Sequence, residues 1–142
     1  MIAASLMLAA FAPLQTRAAV NTWLNTSADS LWNTNSVNWT APTIWADGDD
    51  AIFGATGAGA VSLSTPVTAR NITVNSADYT FSASGGNTLT LDGTTPTISV
   101  GTSNVVLALS LQGTNGLTVQ GTSPTNKLTL QSDGGLLVGD VP

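Results

Sequence analysis

Short runs in which apolar residues alternate with polar or small ones fill the chain from about residue 51 to its end. Residues two positions apart lie on the same face of an extended strand, so each run predicts a strand with one buried face. Gly, Asn, Asp or Pro separates most of the runs, which indicates tight corners between strands. The runs lie at 61–63, 72–74, 79–81, 89–91, 98–100, 107–109, 117–119, 128–130 and 136–138. The pattern predicts an all-β protein built from many short strands.

A longer repeat favours one all-β architecture. The sequence LTLDGTTPT at 89–97 returns as LTVQGTSPT at 117–125, an offset of 28 positions. The apolar run at 61–63 lies one such period before 89–91. One period then holds three strands and three corners, as one coil of a right-handed parallel β-helix requires. Like residues are expected to stack on like in successive coils, about 4.8 Å apart.

The period also predicts which residues stack and how the strands pair. The predicted columns are Leu63, Leu91 and Val119; Val74, Val100 and Leu128 or Leu130; and Phe81 with Leu109. Neighbouring strands should be parallel, with partners about 26 to 30 positions apart. The last run, 136–138, should present an exposed strand edge. A β-sandwich is the alternative, because Asn115-Gly116 suits a two-residue hairpin, and antiparallel pairing would identify it.

All four tryptophans lie before residue 46, ahead of the repeats. They are Trp23, Trp32, Trp39 and Trp45, and Phe53 follows them. An open β-helix end exposes unpaired backbone and apolar interior, and caps of atypical sequence cover such ends. Residues 20–60 are therefore predicted to form an aromatic N-terminal cap, and 61–142 the coils of the β-helix. The alternative is that the indole rings stack on sugar rings.

The segment 1–19 has the pattern of a signal peptide. A nearly unbroken apolar run covers 2–12, and small residues follow it before Val20. The run is too short for a membrane-spanning helix, which needs roughly 20 apolar residues. Cleavage after Ala18 would put Thr16 at the −3 position, so the mature chain is predicted to begin near Ala19 and not to insert into a membrane. A buried N-terminal helix is the alternative.

The chain contains few charged residues and no Cys or His, which excludes several classes of function. Charged residues make up 8% of the chain, with three basic and eight acidic side chains and a net charge of −5. Three basic residues cannot form the positive patch that nucleic acid requires. The chain has no Cys and no His, so disulfides, zinc sites of those ligands and Ser-His-Asp triads are excluded within it. The polar surface must come mainly from Thr, Ser and Asn.

Asp47, Asp49 and Asp50 form the acidic cluster of the sequence. Carboxylates this close can bind Ca²⁺ or act as the acid pair of a glycosidase. Asp-Gly-Asp also forms solvated turns ahead of strands, here 51–53. No Glu is present to complete an EF-hand loop. The turn is the preferred interpretation, so no catalytic, cofactor-binding or metal-binding residue is assigned, and the chain is not expected to be an enzyme.

The predicted aromatic cap and the repeats that follow it together resemble proteins that carry autotransporter-associated β-strand repeats. The similar segments are WN at 32–33, NW at 38–39, WADGDDAIF at 45–53, GTNGLTV at 113–119 and NKLTL at 126–130. The resemblance implies a passenger-type β-helix that is exported by a bacterium and then displayed at the cell surface or released, with a structural or adhesive role. Its implied partners are further repeats of the same protein or cell-surface polymers. The pattern stops in mid-coil at 140–142, so the chain is expected to be a fragment. A carbohydrate-binding or carbohydrate-active β-helix is the alternative.

Overall fold

The computed structural model describes residues 18–40, 44–76, 78–101, 104–113 and 115–131, together with the backbone of a strand at 136–138. These residues form strands, bends and turns and contain no helix. Most of the predicted signal peptide, residues 1–17, lies outside the described residues, as do residues 140–142, where the repeat pattern stops.

Short strands follow one another along the described chain. They are β1 (Val20–Trp23), β2 (Leu31–Trp32), β3 (Asp49–Phe53), β4 (Ala60–Leu63), β5 (Val67–Val74), β6 (Thr80–Ala83), β7 (Thr88–Leu91), β8 (Thr97–Val100), β9 (Val105–Ala108), β10 (Ser110–Gly113), β11 (Thr118–Gly121), β12 (Leu128–Leu130) and β13 (Leu136–Val138). Most strands have three to five residues, whereas β5 has eight. The length of β5 lets its two halves pair with two different strands, β7 and β8.

The strands coil into a β-solenoid of about four turns. One sheet has the order β1-β3-β5-β7-β10-β13, with β8 and β11 continuing beside the second half of β5, and the other has the order β12-β9-β6-β4-β2. Every pairing between these strands is parallel. The antiparallel contact found in the described residues is an isolated bridge between Trp23 and Trp39. The predicted parallel solenoid is therefore confirmed, and the β-sandwich alternative, which requires antiparallel hairpins, is wrong.

Apolar side chains stack in columns inside the coil. One column contains Trp23, Phe53, Val74 and Val100, and another contains Val61, Phe81 and Leu107. All of these side chains are buried. Their neighbours in each strand point outward, because side chains alternate between the two faces of a strand. Each turn of the solenoid is called a rung here. The inward-facing apolar side chains of a rung are buried only where the next rung covers them.

The predicted 28-residue stacking register is wrong for most columns. The partners in the sheets are Ala83 for Leu63, Ala69 and Gly113 for Leu91, Ile98 for Val119, Leu107 for Phe81, and Val105 for Leu128. The predicted pair Val74 and Val100 is correct. The last predicted run does form a strand, β13, and its pairing is with β10.

The register failed because the solenoid turn is shorter than the sequence repeat. Paired residues Leu89 and Leu111 are 22 positions apart. The motif at 89–97 forms the corner between β7 and β8, whereas its copy at 117–125 forms the corner between β11 and β12. The repeat offset therefore equals one turn plus one further side of the coil. Most sides are short alternating strands, and several of the corners between them contain Gly or Pro, so similarity between two segments does not specify which side each occupies.

The aromatic N-terminal cap is present as a buried cluster in the first rungs. The four tryptophans are between 0% and 2% exposed. Their rings pack with one another and with Phe53 and Phe81, and Tyr79 joins the cluster through the two phenylalanines. The ring centroids of neighbouring pairs lie 4.7 to 6.4 Å apart. Trp23 Nε1 donates a hydrogen bond to the carbonyl of Gly57 at 3.0 Å. Large edge-to-face ring contacts of this kind contribute beyond the apolar area they bury.

Gly57 is required where the chain passes close to this cluster. Its φ is +72°, a left-handed conformation that residues with a side chain rarely adopt. A Cβ atom at Gly57 would lie 3.0 Å from the backbone carbon and oxygen of Leu24 and from Trp23 Cδ1. The glycine therefore serves both the turn and the packing of the indole.

Candidate functional site

A groove of 580 Å³ lies on the outer face of the first sheet. It crosses the rungs rather than following one strand, because it takes outward-facing residues from β1, β3, β5, β8 and β11. The corner between β7 and β8 adds three more residues. The lining consists of Val20, Asp50, Ile52, Arg70, Asn71, Ile72, Thr73, Gly93, Thr94, Thr95, Thr97, Ser99 and Gln120. Most of these side chains are uncharged and polar.

A first polar ladder crosses the groove through Asp50, Asn71 and Thr97. Asn71 Nδ2 donates to Asp50 Oδ1 at 2.9 Å, and the backbone N–H of Thr97 donates to Asn71 Oδ1 at 3.0 Å. The amide of Asn71 thus bridges two neighbouring strands. Such bonds fix the orientation of the side chains before any ligand arrives.

A second ladder runs parallel to the first through Ile52, Thr73, Ser99 and Gln120, which are aligned by the strand register. Gln120 Nε2 donates to Ser99 Oγ at 2.7 Å. Ile52 provides an apolar surface among these hydroxyl and amide groups. A row of donors and acceptors beside a small apolar area is suited to a polyhydroxylated ligand.

Arg70 is the basic residue that lines the groove, and it pairs with Asp50. Its Nε donates to Asp50 Oδ1 at 3.0 Å, and its Nη2 contacts Asp50 Oδ2. Burial raises the pKa of Asp50, but hydrogen bonds from Arg70 and Asn71 and the positive charge of Arg70 outweigh burial, so the pKa is lowered. The pKa of Arg70 is raised, chiefly by its hydrogen bond to Asp50. The two groups therefore remain a fixed ion pair at neutral pH.

Gly93 allows the corner between β7 and β8 to lie against Arg70. A Cβ atom at Gly93 would be 3.0 Å from both Arg70 Cγ and the Arg70 carbonyl oxygen. Asn115 Nδ2 donates to the Gly93 carbonyl at 3.0 Å from the following rung. The corner is thus hydrogen-bonded to the next rung through Asn115 and packs on its other side against the aliphatic part of the Arg70 side chain.

The structure directs the three carboxylates of the acidic cluster to different partners. Asp47 Oδ1 accepts hydrogen bonds from Trp45 Nε1 at 3.1 Å and from the backbone N–H of Thr68 at 2.9 Å. Asp50 pairs with Arg70, and Asp49 accepts bonds from the first strand and the residue before it. No group of three or more His, Cys, Asp or Glu side chains suited to a metal ion occurs within the described ranges. The carboxylates act as structural acceptors: the chain turns at Asp47 and Gly48 as predicted, whereas Asp49 belongs to β3 and is buried, so the solvated-turn interpretation is wrong for Asp49.

The alternative in which tryptophans stack on sugars is wrong. A stacking platform needs an exposed ring face, whereas Trp23, Trp32, Trp39 and Trp45 are almost completely buried. The groove itself contains no aromatic residue among those described.

Sequence reasoning missed the groove because it depends on the true length of the turn. Asp50 and Arg70 are 20 positions apart, which is close to the 21-residue spacing of Ala51 and Ile72 in the paired strands. A search for opposite charges at that spacing would have found the pair. The incorrect 28-residue period does not align Asp50 with Arg70, so the pair was not predicted.

Comparison of the chain with protein-family models, with curated proteins and with solved structures yields no match. Across the part of the chain that the structure describes, no helix is long and apolar enough to cross a membrane.

Proposed function

We propose that this chain belongs to an exported bacterial β-solenoid, displayed at the cell surface or released from it, with a structural or adhesive role. The observation that carries the proposal is the parallel stacking of rungs around an apolar interior, with an outer surface of Thr, Ser and Asn in place of charge. A solenoid extends by adding similar rungs, so it suits a protein that must project a surface over a distance. The similarity of the aromatic cap and the repeats to autotransporter-associated β-strand repeats supports the same proposal.

Further repeats of the same protein are the first proposed partner. Exposure rises along the columns toward the later rungs, since Val61, Phe81 and Leu107 are buried whereas Leu130, which follows them in the column, is 44% exposed. Val119, which follows the buried Ile98, is 50% exposed. Another rung over β11 and β12 would bury these apolar side chains.

Cell-surface polymers are the second proposed partner, and a carbohydrate-binding role is the second candidate function. The polar groove favours it, because two ordered ladders of hydroxyl and amide groups cross several rungs. Binding fits this site better than hydrolysis. A glycosidase needs one free carboxylate as an acid and another as a base or nucleophile, whereas Asp50 is engaged by Arg70 and Asn71.

Export and display are tested by expressing the whole chain in a Gram-negative bacterium with an epitope tag after Pro142. The tagged protein is expected in the envelope or the medium, and on intact cells it should be removed by added protease. A cytoplasmic β-galactosidase serves as the control for cell lysis. Protein found only in the cytoplasm, at its full precursor length, would overturn the proposal.

The second candidate is tested on immobilised polysaccharides and a glycan array. Thr73→Ala and Gln120→Ala, which shorten one ladder, should weaken binding at least about fivefold, or roughly 1 kcal/mol, if each removes one hydrogen bond to the ligand. Thr80→Ala is the matched control, because Thr80 is exposed in the other sheet, away from the groove. Binding unchanged by the groove variants would reject the site. Hydrolysis that disappears in an Asp49→Asn variant that circular dichroism shows to be folded would instead support the carbohydrate-active alternative.

A further inference from the structure

A buried carboxylate of β3 contacts the backbone just before β1. Asp49 is only 8% exposed. Its Oδ1 accepts a hydrogen bond from the backbone nitrogen of Ala19 at 2.8 Å, and its Oδ2 accepts one from Asn21 Nδ2 at 2.7 Å. The carbonyl of Ala19 accepts a bond from the backbone N–H of Asp50 at 2.9 Å, which fixes the position of Ala19 beside the carboxylate. In the unprocessed chain both donors to Asp49 are neutral amides.

The same cluster contains an acceptor without a donor. Asn21 is completely buried, and its Oδ1 has no hydrogen-bond partner among the residues that the structure describes. Buried polar atoms in native proteins are nearly always paired. The cluster around Asp49 therefore contains an acceptor that one further N–H donor could satisfy, and neither hydrogen bond that Asp49 accepts comes from a charged group.

The sequence independently marks the same residue. Cleavage of the predicted signal between Ala18 and Ala19 would make Ala19 the first residue of the mature chain. Hydrolysis of that amide consumes one water, leaves a carboxylate on Ala18 and releases an amine on Ala19 that takes up a proton at neutral pH. The resulting ammonium carries a positive charge and three N–H donors, where the amide has one donor and no charge.

We propose that Asp49 is the binding site for the α-ammonium of Ala19, created when an endopeptidase removes the export signal. The inference rests on the proposed export of the chain. The new ion pair holds the start of β1 against β3, so removal of the signal strengthens the contact between the first two rungs. Of the neighbouring charged groups, Asp50 pairs with Arg70, and Asp47 accepts bonds from Trp45 and Thr68. Asp49 is the carboxylate that contacts Ala19.

The test uses the amine reactivity of the exported protein. The full chain is expressed in a bacterium, its exported form is purified and its N-terminus is sequenced. The protein is then treated with an acylating reagent at neutral pH, and modification is measured by mass spectrometry. Lys127, the single lysine of the chain and an exposed one, is the internal standard. Relative to Lys127, the α-amine should react at least about tenfold more slowly in the wild type than in Asp49→Asn, because pairing with a carboxylate favours the protonated form by about one pKa unit or more.

Asp50→Asn is the matched control, since it removes the adjacent carboxylate and should leave the α-amine protected. Tryptophan fluorescence checks that each variant is folded. Where Asp49→Asn does not fold, the wild type in concentrated urea provides the unprotected reference.

Each result of the sequencing and labelling has a distinct meaning. A mature chain that starts at Ala19 and has a protected α-amine supports the inference. A chain that starts at Ala19 but whose amine reacts as fast as in urea overturns the inference and leaves export intact. A chain cleaved at another position also overturns it, because no ammonium then forms at Ala19, whereas retention of the uncleaved signal overturns both the inference and the proposed export.

Discussion

Replacement of Phe53 by alanine is expected to be among the most destabilising single changes in this protein. Phe53 is completely buried, and its ring lies within 6 Å, centroid to centroid, of the rings of Trp23, Trp32, Trp39 and Tyr79. Removing a buried phenylalanine side chain costs about 3–5 kcal/mol. The loss of several aromatic contacts, each contributing about 0.5–1.5 kcal/mol, places this change toward the upper end of that range, at about 4–5 kcal/mol.

The assay is equilibrium unfolding in urea, followed by tryptophan fluorescence and by circular dichroism. Ile52→Ala is the matched control, because Ile52 is the preceding residue of the same strand and lies on the outer face, only partly buried. Its cost should stay below about 1.5 kcal/mol, since less apolar area is lost from a partly exposed position. If both variants lose similar amounts of stability, the ring cluster does not stabilise the first rungs as the contacts indicate.

Three further predictions concern other parts of the solenoid. Leu91→Asp places a charge in the interior of the coil and should prevent folding, whereas Thr90→Asp, on the outer face of the same strand, should leave the protein folded. Circular dichroism distinguishes the two outcomes, and a folded Leu91→Asp variant would contradict the burial of Leu91. Gly57→Ala should lower the free energy of unfolding in urea by about 1–3 kcal/mol more than Gly85→Ala. Both glycines have positive φ, but of the two only Gly57 has backbone atoms within contact distance of an added Cβ. Equal losses of stability would show that this close contact has no energetic effect. Burial raises the pKa of Tyr79 to about 12, so the contribution of Tyr79 to stability should be constant below about pH 10 and fall above it, because the phenol ionises first in the unfolded chain. Phenolate absorbance follows this single tyrosine, and a stability that does not fall between about pH 10 and pH 12 would refute its burial.

The alternation of apolar and polar residues predicted the strands, the recurrence of similar segments favoured the parallel solenoid, and the grouping of the tryptophans before residue 46 predicted the aromatic cap. Inward positions such as Leu89 and Leu91 are apolar because each rung must cover the next, and this requirement is visible in most strands. The register was not predictable in the same way. Leu91 and Val119 have similar local sequences, yet they lie on different sides of the coil, because their 28-residue offset exceeds the 22 positions that separate the paired residues Leu89 and Leu111.

The candidate site was less accessible to sequence reasoning than the fold. The groove depends on outward residues from five strands, and their alignment follows from the turn length alone. Asp49 illustrates the difference, because its sequence context suggests a solvated turn, whereas the structure buries its carboxylate beneath Ala19 and Asn21. Only the parallel pairing of β1 with β3, 30 positions along the chain, brings these residues together.

The spacing between paired strands has a consequence for the way the protein folds. Leu63 pairs with Ala83, which lies 20 positions later, and the widest separation among the described pairs, between Trp32 and Leu63, is 31 positions. Each new strand therefore closes a loop of similar length against a neighbour that is already in place, so the entropic cost of closure does not grow as the chain lengthens. A chain that emerges from a narrow channel with its N-terminus first can thus form the aromatic rungs early and use each finished rung as the template for the next.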